Sequence, residues 1–529
     1  MLKAYGVKYV FGVPGDTSVA FYDALYEARG EITHVMARDE RGASFMADVY
    51  ARLSNRPGVC DAPSGGGATY LIPGLAEANA SSIPLIALTT DIPLAFAGRN
   101  VLTELNQDQL FAAVTKWRAT LTRADRVPEV FRKAFRLATT GRPGVTQITI
   151  PEDVLDEPIE NPDFRAETAC REFPAYRTAP DAAAVAEAAD VLLRAKRPLA
   201  VAGGGAASSG AWDELTQLAD MLSIPVGTSI NGQGSIDEMH RFSIGVVGGN
   251  GARPYANEVL AAADLVMFVG CKADSVTTLN WTLPAGDGSV TIIQIDVDPG
   301  EIGNTYPVAA GVVADARLAL QALVAEVKSR LAPMGGAASR EPWADFAGLR
   351  SAWWAEQESK LRSDARPIKP QRVMRALREL LPPNSVIVAD PGTGTPFTSA
   401  FYSSPAGRHV IIPRGHGGLG YAIPGVVGAK LARPDAPVIG IVGDGSFGMA
   451  CGDLETIARL KLPVVLVQFN NSEFGWIKEL QHLYRGSRYL SVDFTRDTDY
   501  AAIAQGFGVQ GLRVEDPADL LPALRSALD

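Results

Sequence analysis

The sequence has 529 residues, of which 47% are hydrophobic and 20% are charged, and its formal net charge is -10. A chain of this length is too long for one hydrophobic core and predicts about three domains of ordinary size. The acidic balance, with no basic stripe, argues against a nucleic-acid-binding surface. No apolar run reaches the roughly 18 residues that span a bilayer, and the N-terminal residues lack a signal-peptide layout, so we predict a cytoplasmic protein without a membrane segment.

The first third of the chain alternates short apolar segments with amphipathic helical patterns. These segments lie at residues 8–13, 34–38, 58–63, 84–91 and 146–154. Alternation of this kind predicts a parallel sheet that is covered by helices on both faces. We place this domain at residues 1–165, and the polar stretch 156–181 predicts a linker behind it.

Two further blocks repeat the pattern. Apolar segments at 197–205, 263–270 and 289–298 predict a central domain at 182–331, and the segment 332–368, which contains PMGGAAS at 333–339, marks the next boundary. The last domain is predicted at 368–529 from apolar segments at 385–390, 409–414, 437–445 and 463–471. The predicted fold class is therefore α/β, with three doubly wound parallel-sheet domains.

The segment VIGIVGDGSFGMA (438–450) places an acid, Asp444, between two glycines where a buried strand should end and a helix begin. Ligands bind beyond the carboxyl ends of parallel strands, and glycines there let backbone N–H groups approach a phosphate at a helix N-terminus. A carboxylate would repel that phosphate unless Mg2+ or Ca2+ lay between them. Asn471 ends the next strand, so its side-chain oxygen can complete a metal site. The alternative is that Asp444 caps a helix and that Asn470 and Asn471 form a turn.

GDGS at 443–446, followed by NN at 470–471, resembles the signature of thiamine diphosphate-dependent enzymes. The whole chain is similar to the acetolactate synthase, benzoylformate decarboxylase and pyruvate oxidase group, in which a pyrimidine-binding domain, a central domain and a diphosphate-binding domain follow one another. By this resemblance Asp444, Asn471 and the main-chain carbonyl of Glu473 bind Mg2+. The residues implied in diphosphate binding are Gly392, Thr393, Gly394, Gly443, Gly445 and Ser446.

Two further motifs imply residues for the aminopyrimidine ring of thiamine diphosphate. ARDERGASFMADVYAR (37–52) carries Glu40 where family members have a glutamate. A carboxyl bonded to the ring nitrogen N1′ favours the imino form, whose 4′-nitrogen removes the thiazolium C2 proton. In RGHGGLGYAIPG (414–425), Leu419 matches the bulky residue that bends the cofactor, and the Gly417 carbonyl matches the acceptor of the 4′-amino group. The alternatives are a first-turn helix glutamate and a glycine-rich helix start.

Asp16 and His416 are further catalytic candidates. Asp16 in VPGD matches an aspartate of pyruvate decarboxylases, which suggests proton transfer; its alternative role is a helix N-cap before VAFYDAL. His416 adjoins Gly417 in a segment expected to face the substrate. Trp476, Lys478 and His482 share that expectation, and each also fits a surface or packing position.

The resemblance implies a 2-oxo acid substrate and leaves the acceptor of the decarboxylated fragment open. A proton gives an aldehyde, whereas a second carbonyl gives an acyloin. Decarboxylases of the pyruvate and benzoylformate types use histidines where this chain has Pro63 and Ser64, which favours carboligation of the acetolactate synthase type. The alternatives are a non-oxidative 2-oxo-acid decarboxylase and a 2-hydroxyacyl-CoA lyase. A nucleotide-binding oxidoreductase fits less well, because GGGAASSG (203–210) is not a clean GxGxxG.

The resemblance also raises the questions of a second cofactor and of subunit assembly. Some family members bind FAD in the central domain and others bind ADP. GGG at 203–205 follows a strand, but Cys271 and Lys272 replace residues common in FAD binders, so the sequence leaves FAD open. In this family the two domains that share one cofactor come from different subunits, so we expect a homodimer or homotetramer.

Overall fold

Three β-sheets form the framework of the chain. The computed structural model describes residues 1–334, 342–496 and 498–529, so most of the predicted boundary motif at 333–339 lies outside the described residues. Within the described residues the sheets contain six, six and four strands. Their strands alternate with helices along the chain. The prediction of three parallel-sheet α/β domains is confirmed.

The first sheet consists of strands β1 (Tyr9–Gly12), β2 (Thr33–Met36), β3 (Gly58–Ala62), β4 (Leu85–Asp91), β5 (Trp117–Thr120) and β6 (Val145–Pro151). Its order is β2-β1-β3-β4-β6-β5, and every neighbouring pair is parallel. The accompanying α-helices are Val19–Glu27, Glu40–Ser54, Gly66–Tyr70, Ile72–Ala80, Gln107–Phe111, Val127–Thr139 and Glu152–Leu155. The direction of winding reverses between β1 and β3, which places the turns after these two strands where parallel sheets bind ligands.

The core of this domain lies on both faces of its sheet. Strands β3 and β6 are buried along their whole length, as expected for parallel strands covered by helices. Tyr5 stacks on Phe135 with ring centroids 3.8 Å apart. The predicted linker contains one short 3-10 helix, Thr168–Arg171, and its Phe173 is buried.

The second sheet consists of strands β7 (Pro198–Ala202), β8 (Val226–Thr228), β9 (Ser243–Val246), β10 (Leu265–Val269), β11 (Thr291–Asp296) and β12 (Ala310–Val313). Its order is β12-β11-β10-β7-β8-β9, again with parallel neighbours. The α-helices along this part of the chain are Ala182–Arg194, Gly204–Ser209, Trp212–Leu222, Pro254–Ala262 and Ala316–Leu331. The segment predicted as the next boundary also contains the helix Phe346–Leu361.

The third sheet has the order β14-β13-β15-β16. Its strands are β13 (Val386–Ala389), β14 (Val410–Ile411), β15 (Val438–Gly443) and β16 (Val465–Phe469). The α-helices are Pro370–Leu380, Gly394–Phe401, Ala422–Ala432, Asp444–Ala450, Leu454–Arg459, Gly475–Arg485, Tyr500–Gly506 and Leu520–Leu528. Winding reverses between β13 and β15, so the turns that follow these two strands lie at the switch point.

Two compact units emerge from the contacts within the chain. One comprises residues 1–176, 388–392 and 413–512, and the other comprises residues 177–387, 393–412 and 513–529. The first unit thus combines the N-terminal domain with most of the C-terminal one. Over the part of the chain that the structure describes, no helix combines the length and the apolar character needed to cross a bilayer.

A buried ion pair lies inside the second unit. Arg253 donates to the Glu238 carboxylate at 2.9 Å, and the two side chains are 1% and 0% exposed. The guanidinium also lies over the rings of Trp353 and Trp354, 5.2 and 5.3 Å from their centroids. Removing one partner of such a pair typically costs ~3–5 kcal/mol, because the remaining charge stays buried.

In the first unit, a buried carboxylate accepts hydrogen bonds from the N-terminus of a helix. Asp390 follows β13, and its Oδ1 accepts hydrogen bonds from the N–H groups of Tyr421 at 2.6 Å and Ala422 at 3.3 Å. These donors stand at the N-terminus of the helix Ala422–Ala432, whose dipole favours an anion. Burial nevertheless raises the pKa of Asp390 to about 7, against the opposing effect of the backbone donors.

This pKa predicts a pH-dependent stability. The folded-state pKa lies above the ordinary value of 3.8, so the contribution of Asp390 to stability is present below about pH 4 and is lost as the pH rises to about 7. Asp390→Asn keeps an acceptor oxygen and carries no charge. We therefore expect the unfolding temperature of this variant, measured relative to that of the unsubstituted protein, to increase across this pH interval. A difference that stays constant with pH would contradict the assignment.

Candidate active site

Asp444 lies at the junction between strand β15 of the third sheet and the helix that follows it. Strand β15 ends at Gly443, which is the N-cap of the helix Asp444–Ala450, so Asp444 is the first residue of that helix. Its side chain is almost fully buried. Burial raises the pKa of Asp444, although hydrogen bonds from the backbone N–H groups of Gly445 and Ser472 act in the opposite direction. A cation beside this carboxylate would therefore stabilise its charged form.

The Asp444 carboxylate holds the turn that follows β16. Its Oδ2 accepts from the N–H groups of Asn471 at 3.1 Å and Ser472 at 2.6 Å, and its Oδ1 accepts from Gly445 at 2.9 Å. Strands β15 and β16 are parallel neighbours, so their carboxyl ends meet at one edge of the sheet. The structure thus brings Asp444 and Asn471 together, as the motif spacing predicted. The alternative role of Asp444 as a helix cap is wrong, because Gly443 is the N-cap and Asp444 is the first residue of the helix. The Asn470 side chain does accept from the Ser472 N–H at 3.1 Å, as the alternative of a turn at Asn470 and Asn471 expects.

The remaining predicted metal ligand, Glu473, sits in a backbone segment that is held from both sides. The Phe474 N–H donates to the Val492 carbonyl at 2.8 Å, and the Phe494 N–H donates to the Ser472 carbonyl at 2.7 Å. The Glu473 carboxylate pairs with Lys478 at 2.5 Å. Its side chain is therefore committed to an ion pair, and the main-chain carbonyl is the group left for a ligand role.

The donor set suits a hard cation that takes oxygen ligands. Asn471 uses its amide nitrogen to bond the Glu473 carboxylate at 3.3 Å, which leaves the amide oxygen outside that interaction. Mg2+ prefers one or two carboxylates combined with ligand phosphates and water to a cage of protein side chains. Within the described ranges no cluster of three His, Cys, Asp or Glu side chains is suited to a metal ion. A metal ion in this part of the chain would therefore need amide, main-chain or ligand oxygens beside Asp444.

Glycines near the carboxyl ends of β13 and β15 leave room for a ligand. A Cβ atom added to Gly392 or Gly443 would meet no heavy atom within 4 Å. Gly392 also has a φ of +101°, a conformation that favours glycine. Gly445 differs, because a Cβ there would lie 2.6 Å from the ring of Phe474, so its lack of a side chain serves packing.

The other residues expected to bind diphosphate stand at helix starts. Ser446 is a buried residue in the first turn of the helix Asp444–Ala450. Thr393 is the N-cap of the helix Gly394–Phe401, and Gly394 is its first residue. Backbone N–H groups at such positions are suited to anions.

Glu40 is the first residue of the helix Glu40–Ser54, and it is buried. The N-cap is its neighbour Asp39, whose Oδ1 accepts from the Arg41 N–H at 2.8 Å. Burial raises the pKa of Glu40, and the charges of Asp39 and Asp61 add to the rise. Within the described part of its own chain, Glu40 makes no side-chain hydrogen bond to Asp444.

The segment with His416, Gly417 and Leu419 is an irregular loop between β14 and the helix Ala422–Ala432. His416 and Gly417 are exposed, whereas Leu419 is half-buried. A Cβ on Gly417 would meet nothing within 4 Å, so open space adjoins this residue. The loop backbone is held by a residue that the sequence analysis did not single out, Glu77, whose carboxylate accepts from the N–H of His416 at 2.7 Å.

Asp16 is exposed at the start of the 3-10 helix Asp16–Ser18. The alternative role as N-cap of the following helix is wrong, because Ser18 occupies that position before Val19–Glu27. Because a short 3-10 helix comes first, the α-helix begins two residues later than an N-cap at Asp16 would predict.

A cluster of hydroxyls beside Asp16 was not predicted. Ser64 Oγ lies 2.7 Å from Thr103 Oγ1 and 3.2 Å from Thr17 Oγ1, and Thr17 Oγ1 lies 2.7 Å from Thr90 Oγ1. These residues come from turns and strand ends that are far apart in the chain. The only residue of this cluster that the sequence analysis had singled out was Ser64, at a position where decarboxylases of the pyruvate and benzoylformate types use histidine.

The helix Gly475–Arg485 carries the other residues expected to face a substrate. None of its side chains is buried, and Trp476 and Ile477 are among its exposed apolar residues. Lys478 is engaged in ion pairs with Glu473 and Asp493. His482 lies 2.8 Å from the Ser487 hydroxyl.

The GGG turn after β7 makes backbone hydrogen bonds to the neighbouring strand end of its own domain. The N–H groups of Gly203 and Gly205 donate to the carbonyls of Val269 and Gly270, both at 2.9 Å. A Cβ on Gly203 would lie 2.3 Å from the Gly270 carbonyl oxygen. These glycines therefore serve close backbone packing, and two of the donors that a nucleotide phosphate would need are already used.

Comparison with protein-family models gives three matches along the chain. Residues 1–110 match the model described as thiamine pyrophosphate enzyme, N-terminal TPP binding domain, and residues 185–323 match the central domain of the same enzymes. Residues 390–529 match their C-terminal TPP binding domain. Asp444 and Asn471 lie in the C-terminal match, and Glu40 lies in the N-terminal one.

Curated relatives are similar over nearly the whole chain. A probable acetolactate synthase large subunit of Methanocaldococcus jannaschii is 34% identical, over 100% of this chain and 88% of its own. The acetolactate synthase isozyme 3 large subunit of Escherichia coli is 31% identical, over 99% of this chain and 90% of its own. An acetolactate synthase of Mycobacterium bovis is 31% identical, over 99% and 84%. The chain belongs to the acetolactate synthase family of thiamine diphosphate-dependent enzymes.

Proposed function

We propose that this chain catalyses the thiamine diphosphate- and Mg2+-dependent decarboxylation of a 2-oxo acid and joins the remaining fragment to a second carbonyl, as the name acetolactate synthase implies for its relatives. The observation that carries the proposal is the Asp444 carboxylate, which is buried at the switch point of the third sheet and holds the turn with Asn471. A structural helix start would not need the matching amide one strand later.

In this proposal the metal ligands are Asp444, the side-chain oxygen of Asn471 and the main-chain carbonyl of Glu473. The residues proposed to hold the diphosphate are Gly392, Thr393, Gly394, Gly443, Gly445 and Ser446. The open space at Gly392 and Gly443 supports this assignment. FAD is not part of the proposal, because the GGG turn uses its own N–H groups within the central domain.

Thiamine diphosphate, when bound, supplies a nucleophilic carbon and an electron sink for the loss of CO2. Glu40 would hold a proton against the pyrimidine nitrogen N1′, and its raised pKa suits that task. The Gly417 carbonyl would accept a hydrogen bond from the 4′-amino group, and Leu419 would support the bent form. Asp16 and His416 are proposed to move protons at the substrate.

We also propose that Glu40 serves a cofactor held by a partner subunit, in a homodimer or homotetramer. The observation that supports this assembly is a set of exposed apolar side chains on one helix, which a partner subunit would bury: Trp476, Ile477, Leu483 and Tyr484. Cytoplasmic localisation stays a prediction from the sequence.

The hydroxyl cluster favours carboligation over decarboxylation alone. Decarboxylation to an aldehyde needs a proton donor at the reacting carbon, and the position where other decarboxylases use histidine carries Ser64, bonded to Thr103 and Thr17. A hydroxyl is a far weaker acid than imidazolium, so a second carbonyl competes better for the fragment. A 2-oxo-acid decarboxylase or a 2-hydroxyacyl-CoA lyase is the second candidate.

Product analysis separates these functions. We expect the protein, supplied with thiamine diphosphate, Mg2+ and a panel of 2-oxo acids, to release an acyloin as the main product by mass spectrometry. Aldehyde as the sole product would assign the protein to the decarboxylases. No turnover of any 2-oxo acid, with cofactor demonstrably bound, would contradict the proposal.

The role of Glu40 is tested by a pair of neighbouring substitutions. Glu40→Gln should lower the rate of exchange of the cofactor C2 proton with solvent deuterium by about 100-fold or more, the usual scale of general acid–base catalysis. Asp39→Asn, the matched control, changes the adjacent carboxylate to another good N-cap and should retain most of the rate. Equal losses in both variants would mean that the charge of the helix start matters and that Glu40 has no specific role.

A further inference from the structure

A buried glutamate holds the loop that is proposed to face the aminopyrimidine. Glu77 lies in the helix Ile72–Ala80 and is 0% exposed. Its carboxylate accepts hydrogen bonds from four consecutive N–H groups, those of Arg414 at 3.0 Å, Gly415 at 3.0 Å, His416 at 2.7 Å and Gly417 at 3.1 Å. Both partners belong to the first compact unit.

The Glu77 carboxylate is kept charged by its surroundings. Arg52 donates to its Oε1 at 3.1 Å, and the Ser81 hydroxyl donates to the same oxygen at 2.7 Å. Burial raises the pKa of Glu77, but the Arg52 charge and the backbone donors outweigh that effect, and the net pKa lies below the ordinary value. Asp48, which also pairs with Arg52, has a raised pKa because of its burial.

The loop takes its shape from this carboxylate. Residues 412–420 contain no helix or strand, and residues 415–417 are exposed to solvent. Successive N–H groups that converge on one anion form a concave nest, and here the anion is a side chain of the same chain. Gly415 fits closely against the helix that carries Glu77, since a Cβ there would lie 2.8 Å from both Ala80 Cβ and Ser81 Oγ.

We propose that Glu77 is a positioning residue for thiamine diphosphate, which fixes the backbone of residues 414–417 so that Gly417 and Leu419 are presented to the aminopyrimidine. This inference rests on the proposed function, because it needs Gly417 and Leu419 to serve the cofactor. A general structural role is the competing explanation. It would give the same contacts but no specific effect on the cofactor.

The test uses Glu77→Gln in the full-length protein, with two readouts. Amide hydrogen exchange of the peptide that spans 414–417 is measured without cofactor, and thiamine diphosphate affinity is measured by calorimetry with Mg2+ present. The amide group of glutamine turns a donor toward N–H groups and leaves one acceptor oxygen, so at least one charge-assisted hydrogen bond is lost. We expect roughly tenfold to hundredfold faster exchange at 414–417 and a comparable rise in the dissociation constant.

The matched control is Glu238→Gln in the second unit. It removes an equally buried carboxylate that is also paired with an arginine, Arg253. We expect it to lower the unfolding temperature while leaving exchange at 414–417 and cofactor affinity close to those of the unsubstituted protein. Equal effects of both substitutions on the two readouts would overturn the positioning role, because they would reflect general loss of stability.

Other outcomes separate the inference from the proposed function. Faster exchange at 414–417 without any change in cofactor affinity would leave Glu77 a structural residue and overturn the inference. Failure of the unsubstituted protein to bind thiamine diphosphate would reject the proposed function, whatever Glu77 does to the loop. If Glu77→Gln does not fold, Gly415→Ala replaces it, since its methyl group pushes the loop from Ala80 and Ser81 without changing any charge; unchanged cofactor affinity in that variant would also contradict the inference.

Discussion

The proposed site depends on the hydrogen bonds that backbone N–H groups of the next turn donate to one buried carboxylate. Asp444 accepts from Gly445, Asn471 and Ser472, and so ties the end of β15 to the end of β16. Parallel strands bring these two ends to one edge, but sheet geometry alone leaves the turn after β16 free to move. The carboxylate fixes that turn and at the same time places its own charge where a cation can be shared with a diphosphate.

Two other buried carboxylates of the first unit also accept hydrogen bonds from backbone N–H groups of a loop or helix start. Asp390 accepts from the N–H groups of Tyr421 and Ala422, and Glu77 accepts from four N–H groups of residues 414–417. Together these two carboxylates hold both ends of the loop that carries Gly417 and Leu419. Hydrogen bonds from successive backbone N–H groups to one buried side chain can hold a loop rigid although it contains no regular secondary structure. A rigid loop suits the proposed role of holding a bound cofactor in one conformation.

The sequence predicted the features that depend on local spacing. The apolar segments predicted most of the strands, since buried parallel strands are continuous apolar runs, but they missed β8, a three-residue strand inside the second sheet. The GDGS and NN spacing predicted that Asp444 and Asn471 lie together. Edge strands such as β5 escaped prediction, because Trp117–Thr120 is short and only partly buried. Glu77 escaped for a different reason, since the loop N–H groups that donate to it lie 337 to 340 residues away along the chain. Its only signal was a lone acid in a helix of small and apolar residues, which fits a solvent-exposed position equally well.

The most direct test of the account is the affinity for thiamine diphosphate, measured by calorimetry with and without Mg2+, for Asp444→Ala and for the control Asn470→Ala. Asn470 bonds the same turn through the Ser472 N–H but has no proposed ligand role. We expect Asp444→Ala to lose about 100-fold or more of the Mg2+-dependent affinity, beyond the 10- to 100-fold that outer-shell substitutions typically cost, and Asn470→Ala to stay close to the unsubstituted protein. An unchanged Mg2+-dependent affinity in Asp444→Ala would contradict the central claim.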